Sequence, residues 1–422
     1  MLDHDSSSTC LIDNYGPLEM RRPDSVVDLA EIVGQAAISG SGIYPIGGRT
    51  KLGLGMPPTR AGFALDLRSV NRIVDYPARD MTITLEAGTT LSRLQALLRT
   101  ENQRLPIDVP EAERATLGGA IATNTSGPRR YGHGTLRDYV IGISTVNDAG
   151  KVVRAGGRVV KNVAGYDFCK LHVGALGTLG VIAEVTLKLR PLPEEEAVVL
   201  VPTNPKDVES SLDAFHHGRA RPVCVDLLDS VAVQHINRSS GTILPDAPWI
   251  LVIGFEGNQS TVMWQVQQSL RTLPGGCRSG VDVRIGAGAA PVWRALVEYQ
   301  GRSDSPLILK AGLLPSATAR FCKQAKAQSK DVAIQAHAGN GIVLGFAPLG
   351  QDLDQARVLL TQWQEWASAA LGNAIALRCP SAWKPMLPIW GRSRQDEWLM
   401  SAVKAKLDPH NLFNPGRFVG GI

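Results

Sequence analysis

Three glycine-rich stretches carry residue types suited to holding an anion. The first, Gly47-Gly48-Arg49-Thr50-Lys51-Leu52-Gly53, follows the short apolar run Ile43-Tyr-Pro-Ile46. Glycines directly after a strand expose successive N–H groups as an anion-binding nest, which suits a pyrophosphate. The plainer alternative is a glycine-rich turn, since the spacing matches neither the P-loop nor G-x-G-x-x-G. The second stretch, Thr116-Leu-Gly-Gly-Ala-Ile-Ala-Thr-Asn-Thr-Ser-Gly127, is mostly Gly, Ala, Ser and Thr, so backbone can approach a bound group closely. Thr116 is placed to cap a helix whose first N–H groups, around Gly118 and Gly119, are expected to attract phosphate. Tyr131-Gly-His-Gly134 and Asp138-Tyr-Val140 follow it, and the third stretch is Lys161-Asn-Val-Ala-Gly-Tyr-Asp167.

Other chemistry is harder to build. Cys10, Cys169, Cys224, Cys277, Cys322 and Cys379 are widely separated, with no C-x-x-C pair. That argues against an iron–sulfur or structural zinc site within the chain and for reduced, semi-buried thiols. The Asn-x-Ser/Thr matches at Asn124, Asn237 and Asn258 carry no weight without secretion. The formal charge of +5 over 422 residues is spread without a Lys/Arg block, so no nucleic-acid footprint is expected. No apolar run reaches the roughly 18 residues of a membrane helix, and the polar, acidic start lacks the features of a signal peptide. A cytoplasmic protein is expected.

The elements that must position these stretches follow from periodicity. A chain of 422 residues, 44% hydrophobic and 20% charged, is long enough for two or three lobes. Pro23-Asp-Ser25 caps a helix in which Val26, Leu29, Ala30, Ile32, Val33 and Ala37 recur at helical spacing, and Leu91, Leu94, Leu97 and Leu98 mark another. Strands are predicted at 43–46, 63–67, 82–87 and 140–146, the last turning through Asn147-Asp-Ala-Gly150 into a hairpin. Gly174 to Gly180 leads into a strand with Val181, Ala183, Val185, Leu187 and Leu189 on one face. Arg190-Pro-Leu-Pro-Glu-Glu-Glu196 reads as a linker. Beyond it, strands at 223–228, 249–255, 307–309, 332–336 and 342–346 alternate with helices at 260–273, 291–298, 317–327 and 354–371. This predicts an α+β cap with a mainly antiparallel sheet.

Taken in order, Pro45-x-Gly-Gly-x-Thr50, Pro110-x(5)-Thr-Leu-Gly-Gly119, Tyr131-Gly132, Asp138, Gly165-Tyr-Asp167 and Gly177-Thr-Leu-Gly-Val-Ile182 resemble the FAD-binding lobe of the vanillyl-alcohol oxidase/p-cresol methylhydroxylase family. Leu407-Asp-Pro-His-Asn-Leu-Phe-Asn-Pro-Gly416 is similar to that family's closing motif. Within the family, Val160 to Asp167 and His337-Ala-Gly-Asn-Gly-Ile-Val343 look most like the FAD-binding subunits of glycolate oxidases, three-part glycolate dehydrogenases. The resemblance implies an α+β fold, with a two-lobed FAD-binding domain of the p-cresol methylhydroxylase type over residues 1–193. It further implies a cap domain over 194–378 and a C-terminal segment, 379–422, returning to the FAD domain.

It also implies a cofactor site. Gly47, Gly48, Arg49 and Thr50 would form the pyrophosphate loop, and Thr116, Leu117, Gly118 and Gly119 a second wall. Asn124, Gly127, Tyr131 and Gly132 would lie towards the flavin, and the backbone of Gly180, Val181 and Ile182 near the adenine. Pro45, Ile46, Pro110, Ala122, Asp138, Val140 and Gly177 complete the implied set. For Tyr131 and Tyr166 the plainer alternative is packing. Relatives with covalent FAD often carry His where Arg49 stands, so the FAD is expected to be non-covalent.

Metal-using 2-hydroxy-acid dehydrogenases of the family carry His-x-Gly-Asp-Gly-Asn-x-His and a later Glu-His-Gly. Here Asn340 replaces the acid and Leu344 the second His, and Ala376-Leu-Arg-Cys-Pro-Ser381 has neither Glu nor His. No metal is therefore expected, and His337 reads as a hydrogen-bonded turn histidine. Hydride abstraction from a 2-hydroxy acid needs a base and a cation for the carboxylate. Lys310, Arg378 and Lys384 are cation candidates. No base stands out, since His216-His217 reads as solvated surface and His410 as part of the closing turn.

These features imply an FAD-binding subunit of a heteromeric complex oxidising glycolate to glyoxylate, with a homologous FAD subunit and a separate iron–sulfur subunit as partners. Membrane association would come only through those partners, at the inner face. The alternatives are a stand-alone D-lactate-like dehydrogenase and a non-catalytic assembly subunit.

Overall fold

The computed structural model describes residues 8–158, 166–273, 279–302, 304–348, 350–393 and 395–422. Its contacts fall into two compact units. One takes the chain up to Thr125, Thr135–Leu192 and Ser393–Ile422, and the other Ser126–Gly134 and Pro193–Arg392.

In the first unit, the helix Val26–Ser39 starts where Ser25 accepts the N–H of Asp28 and stops at Gly40, whose φ of 66° suits glycine. It buries Leu29, Val33 and Ala36 against a four-stranded sheet in the order Thr9–Ile12, Tyr15–Arg21, Gly62–Asp66, Gly42–Ile46. A five-stranded antiparallel sheet runs Ile73–Asp75, Thr82–Glu86, Val181–Lys188, Val140–Val146, Val152–Gly156. In the predicted hairpin turn, the Asn147 side chain accepts the N–H groups of Ala149 and Lys151. The strand Val181–Lys188 buries its predicted face, but Ile182 and Thr186 on the other are also buried. It lies between two cores, one holding Val181 and Ala183 and the other Ile182, Val185 and Leu187, so alternation alone understated its burial.

The closing motif completes this unit. Lys404, buried in the helix Glu397–Leu407, donates to the carbonyls of Thr178 and Phe413 and pairs with Asp408. Asp408 in turn accepts the N–H groups of Leu412 and Phe413. Phe413 then bridges Ile43, and Asn414 N–H reaches the Ile43 carbonyl, fixing the tail beside the strand that feeds the first glycine loop.

The second unit is an eight-stranded, wholly antiparallel sheet. Its order is Asp282–Ile285, Glu195–Thr203, Trp249–Gly257, Cys224–Asp229, Ala333–His337, Ile342–Phe346, Ile308–Gly312, Asn373–Arg378. One face packs Leu228, Ile250, Val252, Leu344 and Phe346 against the helices Ser230–Ser240 and Ala289–Tyr299. The first of these helices is absent from the sequence reading, although it buries Ala232, Val233 and Ile236 at helical spacing.

Two boundaries differ from the sequence reading. Ser126–Gly134 folds with the second unit: Gly132 donates to the Val223 carbonyl, and Arg129 and His133 both pair with buried Glu256 at 2.6 and 2.7 Å. Residues 379–392 also stay there, since Ala376 N–H reaches Ile389 and Gln364 reaches Pro388.

Candidate functional site

A cleft in the first unit gathers much of the predicted cofactor set: Pro45, Ile46, Gly47, Gly48, Arg49, Thr50, Pro110, Thr116, Gly119 and Ala122. An adjoining cavity shares Gly47, Thr116 and Gly119 and adds Gly118, Gly177, Gly180 and Ile182. The glycines have separate reasons. A Cβ on Gly48 would lie 1.7 Å from the Arg114 carbonyl oxygen, and one on Gly47 would lie 2.1 Å from Thr116 Oγ1. Glycine is required here because Gly48 presses on the Arg114 backbone and Gly47 on the Thr116 side chain.

That packing corrects one expectation. Thr116 does cap the helix Leu117–Thr123, accepting from Gly119 N–H at 3.4 Å. Yet Leu117 and Gly118 donate to the carbonyls of Thr89 and Ala87, both at 2.8 Å. The N–H groups expected to meet phosphate are spent inside the protein, so this stretch is a wall rather than an anion nest.

The sequence reading missed Arg417. It lies in the same cleft, 6% exposed, and donates to the Leu52 and Leu54 carbonyls while its Nη1 has no partner. A buried guanidinium N–H without an acceptor fits an anionic group in the cleft. Asn124, in the left-handed conformation at φ 47°, likewise has a buried Oδ1 without a partner. An unmet cation between small-residue walls fits the phosphates of an FAD. Arg49, also left-handed at φ 60°, turns its guanidinium towards Met20 and buried Asp66.

Other predicted residues are placed differently. Leu117, Val140 and Val181 are core, while Asp138 closes a capping box with Thr135. Gly127, Tyr131 and Gly132 belong to the second unit, where the Tyr131 ring packs on Gly339 and its hydroxyl lies 3.5 Å from His216 Nδ1. His216 is exposed, as expected of a surface residue, with this hydroxyl as its neighbour. The segment 160–165, with Gly165, lies outside the described residues.

The second unit also contains a polar cluster that the sequence did not announce. Asp226 and His337 are opposite each other on neighbouring strands, with His337 Nδ1 at 2.9 and 3.0 Å from the two carboxylate oxygens. Asp226 is fully buried and His337 is 3% exposed. Gln335 donates to Asp226, and Gln300 Oε1 lies 3.4 Å from His337 Nε2. Strand register puts Lys310 opposite Leu344 and Leu344 opposite Gln335, so Lys310 shares a sheet face with this cluster. Arg378 instead donates to the Arg302 carbonyl, and Lys384 is buried in the short helix Ser381–Met386. Both ring nitrogens of His337 are taken up by protein groups. Among the described residues, no group of three or more His, Cys, Asp or Glu is arranged to hold a metal.

The described cysteines are buried and form no disulfide with one another, and burial pushes Cys169 up to about 11, as an inert thiol requires. Among the described residues no helix is long and apolar enough to cross a membrane.

Known proteins agree with this architecture. Residues 17–156 match the model of the FAD binding domain, and residues 192–356 with 391–418 match that of the C-terminal domain of FAD linked oxidases. D-2-hydroxyglutarate dehydrogenase of Xanthomonas citri pv. viticola is 27% identical over 425 residues, 95% of this chain and 89% of that protein. Glycolate oxidase subunit GlcE of Escherichia coli is 41% identical over 175 residues, 41% of this chain and 49% of that one. The crystal structure of p-cresol methylhydroxylase with substrate bound superposes with a TM-score of 0.73 at 15% identity, covering 94% of this chain and 88% of that chain. Fold and cleft together define an FAD-binding oxidoreductase with the p-cresol methylhydroxylase architecture. The chain belongs to the FAD-linked oxidases, and its cofactor is FAD.

Proposed function

We propose that the chain is the FAD-binding subunit of an assembly that oxidises a 2-hydroxy acid, with glycolate, going to glyoxylate, as the substrate. The observation that carries this is the cleft around Gly47, Thr116 and Arg417, together with the local likeness to a glycolate oxidase subunit. When bound, FAD supplies the two-electron acceptor. Gly47 to Thr50 and Arg417 hold its phosphates, and Asn124 presents an acceptor to it. Arg49 offers no nucleophile at the position where histidine bonds flavin, so the cofactor is held non-covalently. A homologous FAD subunit and a separate iron–sulfur subunit are the proposed partners, because the chain's own cysteines are dispersed.

A second reading, that this chain carries out the acid oxidation with its own side chains, is favoured by the Asp226–His337 pair. The test is purification of the chain alone and with any co-purifying proteins, cofactor analysis, and anaerobic addition of glycolate, D-lactate or D-2-hydroxyglutarate. Bleaching only in the presence of partners supports the first reading, and bleaching of the isolated chain the second. An absence of flavin in both preparations refutes both.

A further inference from the structure

We propose that the outer face of the helix Glu397–Leu407 is a self-association surface. Its occupant is the same helix of a second copy of this chain, packed antiparallel about a two-fold axis at Ala402. The assignment does not depend on the reaction proposed above.

A surface helix normally turns its apolar stripe inward and its charges outward. This one is built the other way. Its buried residue is Lys404, held by Asp408 and by the carbonyls of Thr178 and Phe413. Met400, Val403 and Leu407 flank it and are only half-buried. Charge and hydrogen bonds therefore dock the helix on its unit, and apolar side chains are left outside. Trp398 is 70% and Leu399 51% exposed, and Ala402, Ala405 and Lys406 are exposed with them. Trp398 is the most exposed of the eight tryptophans of the chain. With 3.6 residues per turn, these five residues form one stripe centred on Ala402, within about 60° to either side. A tryptophan set in an apolar stripe on the surface is the composition of a protein contact.

The stripe is complementary to itself when reversed. Its two large residues stand at one end, and Ala405 and the flexible Lys406 at the other. In an antiparallel pair about Ala402, Trp398 and the partner's Ala405 fall on the same side, about 1.5 Å apart along the helix axis. Leu399 lies along the methylene stem of the partner's Lys406 in the same way. The charges match too. Asp396 precedes the helix and Lys406 is in its last turn, both exposed, so reversal brings the acidic start of each helix to the basic end of the other. Alanine on the two-fold axis lets the helices approach to the close end of the roughly 8–10 Å range. One helix pair buries less than the roughly 1,200 Å² of a stable assembly, so the dimer is weak and depends on concentration.

The experiment is sedimentation velocity of the FAD-loaded chain across the micromolar range, alone and with its co-purifying chains, paired with oxidative cross-linking of cysteine variants. The isolated wild-type chain is expected to pass from monomer to dimer. W398S and A405E should each raise the dimer dissociation constant by about 10-fold or more. W264S, at another exposed tryptophan, on the helix Gln259–Thr272, should leave it unchanged. A402C should cross-link into a covalent dimer beyond the wild-type level, because the two-fold axis sets each Ala402 against its own copy. A405C should not, since its two copies lie about 9 Å apart along the axis. All these positions face solvent, so each variant should keep the FAD content and urea midpoint of the wild type. A wild-type chain that stays monomeric throughout, or a dimer indifferent to both W398S and A405E, would overturn the proposal. Cross-linking of A405C in preference to A402C would overturn the antiparallel register. Release of a co-purifying chain by W398S, with the isolated protein monomeric throughout, would give the surface to that chain and end the second-copy assignment.

Discussion

Arg417 and Arg49 show how far single residues can be read. Arg49 was conspicuous beside two glycines, whereas Arg417 sits just past a closing motif and has no local signal of its role. Only folding brings it, buried and with Nη1 unmet, into the cleft with the Gly47–Thr50 loop. Burial lowers the Arg417 pKa below the ordinary arginine range, an unfavourable position that an anionic ligand relieves. R417M is expected to raise the FAD dissociation constant by at least about 10-fold, because a charge-assisted hydrogen bond contributes about 1.5–3 kcal/mol; fluorescence titration of the apoprotein measures it. Acid precipitation of the wild-type protein should leave its flavin in the supernatant, whereas a coloured pellet would mean a covalent bond. His337 illustrates the opposite case. Its type and turn were visible in the sequence, but its partner Asp226 is 111 positions away and became apparent only through strand pairing.

Elements decide how firmly the cleft is held. Asp66 closes the strand Gly62–Asp66 beside Ile46, and takes Arg68 at 2.7 Å and Arg22 at 3.3 Å. Burial pushes its carboxyl up, but the hydrogen bonds from Arg68 and Arg22 outweigh this and hold it below the usual range. A carboxyl depressed on folding contributes stability above its unfolded pKa, about 3.9, and loses it as pH falls through the folded value. FAD retention should therefore hold through neutral pH and fail below about pH 4, whereas D66N should weaken retention already at neutrality; flavin release against pH tests both. At the other end of the unit, D408N should destabilise the fold by about 3–5 kcal/mol, because it strands buried Lys404 and weakens the cap on Leu412 and Phe413. Urea denaturation reads this directly. K404M, which removes the charge instead, should cost much less.

Across the whole molecule, the second unit takes in Ser126–Gly134 from the middle of the first, so a cofactor motif and a cap element are continuous in sequence. Because His337 has both nitrogens engaged and Leu344 has no ligand atom, dialysis against a strong chelator is expected to leave flavin reduction unchanged. A rate restored by added zinc would refute this. The sequence by itself determined the FAD-linked family, many of the elements and the glycine loops in the cleft's walls. Those features rest on glycines whose spacing is local and on apolar periodicity set by helix and strand geometry. Only the tertiary structure decided that the N–H groups after Thr116 are spent on Thr89 and Ala87. It alone brought Arg417 to the Gly47 loop, and set Asp226 and His337 side by side with Lys310 on their face of the sheet. Each of these depends on pairing between distant segments, and register across a sheet leaves no trace in the spacing of residues along either strand.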